Sequence, residues 1–302
     1  MFSKLFAESG LSLDRLKALL AVAAAGSIVK AAGGDPVKQS QYSRQIKELE
    51  DFFRIKLVER HGKGIRLTPQ GKELARISRF FMMGLSNFQR GCLTEEQTFR
   101  IGASATFIGQ FALPALSSQS VLRSGTRYIF ETVGDDEIER RLHDLTLDFG
   151  VTMRREISRP LQLKELGKWR LKLWAPRTLW KNGKSAAEAL KQRCLPLVLA
   201  KKELDLCGTD LFDDQEPRLI CDSFLEAVTA MSGRGLASVL PDFLTPADSK
   251  TFSQVPVPAL ESRALYFRLA WNPRLLRLNP HAVRRRDFLA ESFSSQMKFQ
   301  RS

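Results

Sequence analysis

Apolar residues recur with a helical period in two stretches near the start of the chain. The first spans residues 12 to 25, with apolar positions at Leu13, Leu16, Leu20 and Ala24. The second spans residues 37 to 50, with apolar positions at Val37, Tyr42, Ile46 and Leu49. Residues three or four apart share one side of a helix, so both stretches predict helices that bury one face. Ser12 and Ser27 are cap residues for the first helix and for a short helix between the two.

The polar sides of the second helix and of the short helix before it carry side chains that suit DNA. Amide, hydroxyl and cationic groups hydrogen-bond to base edges and phosphates, and the major groove admits an α-helix. The candidate DNA-binding residues here are Lys30, Lys38, Gln39, Ser40, Gln41, Ser43 and Arg44. Lys30 fits a solvated surface lysine equally well.

A hairpin and a long helix follow. Residues 60 to 66 place a glycine-rich turn between two short extended arms, and their cations Lys63 and Arg66 are further candidates for contacts with the DNA backbone or minor groove. Thr68 and Pro69 are typical of a helix start. Apolar residues then recur with helical spacing at Leu74, Ile77, Phe81, Leu85 and Phe88. The pattern predicts one helix to about residue 90, whose apolar side needs a partner surface, either a second chain or its own domain.

Beyond residue 97 short apolar runs alternate with amphipathic stretches. The runs predict strands at residues 98–104, 127–133, 147–151, 169–175, 195–200, 236–240 and 264–271. The amphipathic stretches predict helices at residues 107–117, 135–145, 185–193, 223–231 and 281–293. Strands that alternate with helices are typical of parallel α/β units, so this region is expected to hold two such units in succession.

The first part of the chain resembles the winged helix-turn-helix of the LysR-type bacterial transcriptional regulators. The residues that match in order are Gly26-Ser27, Ala31-Ala32, Val37, Gln39, Ser43-Arg44-Gln45-Ile46, Leu49-Glu50, Leu57-Val58-Glu59-Arg60, Arg66-Leu67 and Thr68-Pro69-Gln70-Gly71. The chain departs from the family pattern at Asp35, where the turn usually has a leucine, and at Lys38, where a Ser or Thr cap is common. The resemblance implies that the long helix pairs with its twin, giving a homodimer or homotetramer on double-stranded DNA.

The second part resembles the effector-binding region of the same regulators, which is similar to the type 2 periplasmic solute-binding proteins. The matching marks are Arg100-Ile101-Gly102, Asp148-Phe149-Gly150-Val151 and residues 233–241. The fold class implied is a multidomain chain: a mainly α winged helix-turn-helix with a long linker helix, followed by a two-lobed α/β effector domain. The limits expected are residues 1–67, 68–93 and 98–302. One lobe would take residues 98–157 with part of 264–302, and the other residues 165–263.

Candidate effector-binding residues follow the predicted strands. Ligands of such lobes bind beyond the carboxyl ends of the strands, where backbone N–H groups at helix starts face an anion. The candidates are Ser104, Thr106, Thr132, Thr152 and Ser223. Helix capping is the alternative for each of them. The expected effector is a small organic anion, and no cofactor or metal is expected.

Charge strengthens the DNA interpretation. The formal net charge is +14, and residues 1–90 hold 16 Lys/Arg against 8 Asp/Glu, a balance of +8. An excess of cations in the first part favours an anionic partner. No run of about 18 apolar residues predicts a membrane span, and no signal-peptide pattern is visible, so we expect a cytoplasmic protein without a membrane partner.

Three other functions are alternatives for such a chain. A solute-binding protein without a DNA function would not need the basic first part. An enzyme would need a converging nucleophile and base, whereas Asp135-Asp136-Glu137 suits the positive end of a helix, so no enzyme is predicted. A redox-responsive regulator, as in a peroxide-sensing branch of the family, would use Cys194 and Cys207, which flank a predicted strand. The four cysteines are far apart and predict no metal site.

Overall fold

The molecule consists of two compact units, Met1–Thr94 and Glu95–Ser302. The computed structural model describes residues 10–61, 64–93, 97–117, 125–180, 195–209, 212–213, 216–232, 235–248 and 250–299. Within these ranges, no helix combines the length and the apolar character needed to cross a bilayer. The predicted helix at residues 185–193, the residues Lys63 and Cys194, and the matching residues 233 and 234 lie outside them.

The first unit contains four helices and a hairpin in its described part. In chain order they are α1 (Leu13–Ala25), α2 (Ile28–Ala31), α3 (Pro36–Phe53), β1 (Val58–His61), β2 (Gly64–Leu67) and α4 (Pro69–Leu93). The two strands pair antiparallel, from Val58 opposite Leu67 to His61 opposite Gly64. One apolar core joins the elements, made of Leu16, Leu19, Val22, Ile28, Ile46, Leu49, Leu57 and Ala75. The helices and the hairpin predicted from the sequence are therefore present.

Three apolar positions that were predicted to be buried are exposed, namely Leu13 and Ala24 of α1 and Val37 of α3. Val37 was placed on the buried face of its helix, but its side chain is 76% exposed. The buried residues of α3 are Ile46, Leu49 and Glu50, which lie in its second half. Val37 lies in the first turn, ahead of the part of the helix that packs on the core.

The second unit is built on two five-stranded mixed sheets. The first has the strand order β4-β3-β5-β12-β6, and the second has the order β11-β7-β10-β8-β9. The strands are β3 (Gln97–Ala103), β4 (Thr126–Thr132), β5 (Phe149–Thr152), β6 (Gln162–Trp169), β7 (Leu171–Pro176), β8 (Leu197–Ala200), β9 (Leu219–Cys221), β10 (Ala237–Pro241), β11 (Phe252–Val255) and β12 (Leu265–Trp271). Strands β3, β4 and β5 run parallel, as do β8, β9 and β10. Strands β6, β7, β11 and β12 pair antiparallel with their neighbours.

Helices pack beside these sheets. They are α5 (Ala105–Phe107), a π-helix (Ile108–Ala112), α6 (Leu113–Leu116), α7 (Asp135–His143), a 3₁₀ turn (Arg177–Trp180), α8 (Lys201–Leu206), α9 (Phe224–Met231), α10 (Pro258–Glu261), α11 (Pro273–Leu278) and α12 (Pro280–Phe299). The first three form one continuous helical stretch directly after β3. Each sheet with its helices forms one lobe of the unit.

The boundary between the lobes differs from the sequence interpretation. One strand was predicted at residues 169–175, but two are present, and Gln162–Trp169 belongs to the first sheet, where it pairs with β12. The chain crosses to the second sheet at Arg170. The second lobe therefore begins after Trp169 instead of at residue 165. Strand β6 was missed because it is a charged edge strand without an apolar run.

Aromatic side chains join the two lobes. Trp169 stacks on Phe267 with a centroid distance of 5.2 Å, and Phe107 meets Phe267 edge to face at 5.0 Å. Phe243, which follows β10, lies 4.7 Å from Phe111 and 5.7 Å from Trp169. Rings at these distances attract one another beyond their buried area. The second unit therefore has a shared aromatic cluster where its lobes meet.

Candidate functional site

The start of α3 is set by a side-chain cap. Gly33 and Gly34 adopt positive φ angles of 62° and 83°, which suits residues without a Cβ. Asp35 then accepts hydrogen bonds through Oδ1 from the backbone N–H groups of Val37, at 2.8 Å, and of Lys38, at 3.3 Å. The cap is therefore Asp35, three residues before the position where the family pattern leads one to expect it.

The outer face of α3 is open to solvent. Of the predicted residues, Lys38, Ser40, Gln41, Ser43 and Arg44 are exposed and Gln39 is half-buried. Pro36, Val37, Ser40, Gln41 and Arg44 line one surface depression. Arg44 has a side chain that is 79% exposed and lies 3.5 Å from Glu48 on the next turn. Lys30, on α2, is also exposed.

A buried carboxylate attaches the hairpin to α3. Glu50 is 8% exposed, and its Oε1 accepts from the N–H groups of Leu57, at 2.8 Å, and Val58, at 3.2 Å. On the opposite strand, Arg66 is paired with Glu59 at 3.0 Å. The predicted cation Arg66 therefore has a partner within the hairpin, and Lys63 lies outside the described residues.

The predicted effector residues differ in their exposure and in their hydrogen-bond partners within the second unit. Ser104 caps α5 by accepting from the N–H of Phe107 at 3.3 Å, and Ser223 caps α9 in a capping box with Glu226. Thr152 is buried and accepts from the N–H of Arg154 at 3.1 Å. Thr132 is exposed at the end of β4. The capping alternative therefore describes Ser104 and Ser223 in this structure.

Sequence reasoning missed Glu203, which faces Thr106. The Glu203 side chain is 5% exposed, and its Oε2 accepts from Thr106 Oγ1 at 2.5 Å and from the N–H of Phe224 at 2.7 Å. Glu203 lies three residues past the end of β8, on the edge where ligands of α/β lobes bind. Its place just after a strand is the sequence signal that points to Glu203, whereas the predicted candidates are all hydroxyl residues. Thr106 and the start of α9 at Ser223 are thus brought together around one carboxylate.

Three other titratable groups of the second unit, Asp135, Cys207 and Cys221, have a raised pKa. Burial raises the pKa of the Asp135 carboxyl, although hydrogen bonds from Thr152 and from the N–H of Met153 act in the opposite direction. Burial, and secondarily the charge of Glu203, raises the pKa of the Cys207 thiol far above its ordinary value. Burial also raises the pKa of Cys221 to about 11. At neutral pH both cysteines are therefore thiols, whereas a peroxide-reactive cysteine needs a thiolate.

Comparison with known families accounts for both units. Residues 13–72 match the family model described as bacterial regulatory helix-turn-helix protein, lysR family, and residues 94–294 match the LysR substrate binding domain. A probable nitrogen assimilation transcriptional activator from Synechococcus elongatus is 33% identical over 149 residues. That segment covers 47% of this chain and 47% of that protein, so the chain spans about half the length of the curated relative it matches.

Solved structures share the fold over nearly the whole chain. A full-length OxyR variant from Pseudomonas aeruginosa superimposes with a TM-score of 0.62 and 18% identity, over 95% of both chains. Full-length CbnR, solved in a complex with its target DNA, gives a TM-score of 0.52 and 17% identity, over 91% of this chain and 100% of that one. The two family models together span most of the chain in the order in which its two units occur. The chain therefore belongs to the LysR family of bacterial helix-turn-helix transcriptional regulators.

Proposed function

We propose that the chain binds double-stranded DNA by inserting the outer face of α3 into the major groove. The observation that carries this proposal is an exposed polar face on a helix whose opposite side is fixed in the core. Lys38, Gln39, Ser40, Gln41, Ser43 and Arg44 would contact bases and phosphates. Lys30, Lys63 and Arg66 would contact the backbone beside it. The exposed Val37 adds an apolar group of the kind that contacts thymine methyls.

The second unit would control DNA binding through a small molecule. Its two lobes, its family match and the convergence of Thr106 and the α9 start support an effector site between the lobes. Ser104, Thr106, Thr132, Thr152 and Ser223 stay candidates for it, with a small organic anion as the predicted class of effector. We also propose domain limits at residues 1–67, 68–93 and 98–302, a homodimer or homotetramer as the working form, and a cytoplasmic location, where DNA is available.

Arg44→Ala tests the placement of α3. Electrophoretic retardation of DNA from upstream of the chain's own coding region should show binding by the wild type at low salt. Arg44→Ala should raise the dissociation constant about 10- to 100-fold, because a specific base or phosphate contact contributes on the order of 1–3 kcal/mol. Its circular dichroism spectrum should not change, since the Arg44 side chain is 79% exposed.

Lys17→Ala is the matched control, because it removes one exposed positive charge from α1. Its affinity for the same DNA should stay within about twofold of the wild type. Equal affinities for Arg44→Ala and wild type would rule out the proposed orientation of α3. No retardation by the wild type at low salt would count against the DNA-binding function itself.

A further inference from the structure

The Glu203 carboxylate accepts hydrogen bonds from both sides of the junction between the two lobes. Its Oε1 accepts from the Thr106 N–H at 3.2 Å. Its Oε2 accepts from the Thr106 hydroxyl at 2.5 Å and from the Phe224 N–H at 2.7 Å. Three donors therefore converge on one carboxylate that is 5% exposed. Hydrogen bonds to a charged acceptor are about twice as strong as neutral ones.

The donors come from different lobes. Thr106 follows β3 of the first sheet, whereas Glu203 follows β8 of the second sheet and Phe224 begins α9 beside it. Backbone N–H groups at these places are the ones that α/β lobes use for an anionic ligand. The Glu203 carboxylate thus occupies the place that an anion from solution would take.

Neighbouring packing shows that the lobes are already in contact here. A Cβ added to Gly109, in the π-helix, would lie 2.9 Å from Cδ1 of Leu225 in α9. Trp169, at the end of β6 in the first sheet, meets Phe224, at the start of α9, edge to face at 6.3 Å. The groups that flank the carboxylate are therefore close-packed across the lobe junction.

We propose that Glu203 is a built-in substitute for the effector's anionic group, which closes the two lobes without a ligand. The proposal deepens the effector function proposed above and rests on it. A small organic anion would reach the N–H groups of Thr106 and Phe224 only by displacing Glu203. The regulator would then respond to the loss of this internal contact rather than to the filling of an empty site.

Removing the carboxylate should create a site that free carboxylates fill. In the full chain, Glu203→Ala should lower the melting temperature by about 5 °C or more, because two N–H groups and a hydroxyl lose their acceptor. Hydrogen exchange should accelerate at least about tenfold in the peptides that contain Thr106 and Phe224. Sodium acetate should reverse both effects saturably at constant ionic strength, while sodium chloride should not.

Glu261→Ala is the matched control, since Glu261 is an exposed glutamate of the same lobe. This variant and the wild type should show no acetate response in either measurement. The proposal is overturned if hydrogen exchange in Glu203→Ala matches the wild type, or if it accelerates in only one of the two peptides. It is also overturned if acetate reverses the effects no better than chloride.

Glu203→Gln keeps the volume of the side chain and serves as a second variant for the same measurements if the alanine variant does not fold. Its single carbonyl oxygen can replace only one carboxylate oxygen, so its NH₂ group must face the N–H of Thr106 or of Phe224. Exchange should rise in whichever of the two peptides holds the N–H that faces the NH₂ group, and acetate should not reverse it because the site is filled. Wild-type exchange in this variant would refute the proposal. None of these measurements uses DNA, so a failed retardation assay and a failed Glu203 test are separate results.

Discussion

At the scale of single residues, Gly71 shows how closely the hairpin and α4 approach each other. An added Cβ would lie 2.0 Å from the carbonyl oxygen of Leu57, far inside van der Waals contact. The Gly71 N–H also donates to Thr68 Oγ1 at 3.0 Å, and the Thr68 hydroxyl donates to the carbonyl of Lys56 at 2.8 Å. A side chain at Gly71 would therefore push the start of α4 away from the backbone at Leu57, which directly precedes β1.

Gly71→Ala should destabilise the first unit by about 2 kcal/mol or more, because the backbone of Leu57 must move to admit a methyl group. In differential scanning calorimetry of the full chain, the unfolding transition of the first unit should shift to a lower temperature. Gly134→Ala is the control, since an added Cβ at Gly134 meets nothing within 4 Å. A melting curve for Gly71→Ala that overlays the wild type would contradict the close approach.

At the scale of elements, α4 carries an apolar stripe that is exposed within the part of the chain that the structure describes. Ile77, Phe81, Leu85 and Phe88 recur at helical spacing and are 53%, 49%, 44% and 74% exposed. Apolar side chains in one row along a helix usually mark a surface that another helix covers. The exposed stripe therefore supports the proposal that α4 pairs with a second chain.

Phe81→Glu should dissociate the proposed homodimer, because a charge in the middle of the stripe would lose its hydration in the paired state. Light scattering after size exclusion, at a concentration where the wild type elutes as a dimer, should report a mass near that of one chain for the variant. Lys72→Glu, an exposed change on the same helix, should leave the mass unchanged. A dimeric Phe81→Glu variant would place the interface elsewhere.

The position of a strand in its sheet decides whether the strand could be predicted from the sequence. The central strand β10 is buried at all five positions and β3 is buried from Ile101 to Ala103, so both are visible in the sequence as apolar runs. The strands that were missed, β6, β9 and β11, all lie at sheet edges. Edge strands such as β6 carry charged residues on an exposed face, so their apolar residues show little regular spacing. The Glu203–Thr106 contact was missed for another reason, because the two residues are 97 positions apart and no local pattern connects them.

At the scale of the whole molecule, positive charge is concentrated where DNA binding is proposed. Residues 1–90 contribute +8 of the formal +14, leaving +6 for the remaining 212 residues. Proteins that neutralise phosphates release counterions, so their affinity falls as salt rises. The distribution of charge therefore predicts a salt-sensitive complex whose sensitivity originates in the first unit.

The dissociation constant of the DNA complex should rise at least about 100-fold between 50 and 200 mM salt, as expected for several phosphate contacts. Lys38→Ala should reduce the slope of log affinity against log salt by about one, because one cation fewer meets a phosphate. Lys250→Ala, at an exposed lysine of the second unit, should leave the slope unchanged. Equal slopes for all three proteins would remove Lys38 from the interface.

The two sides of α3 differ in what they contact, which separates the stability of the first unit from the DNA binding proposed for it. Ile46, Leu49 and Glu50 face the core and the hairpin, while Ser40, Gln41 and Arg44 contribute almost nothing to that packing. If the outer face of α3 binds DNA as proposed, duplicated copies of the gene could exchange the outward residues and acquire new target promoters without first gaining compensating stability. Substitutions at the inward residues, by contrast, would cost stability in every copy, whatever DNA it binds.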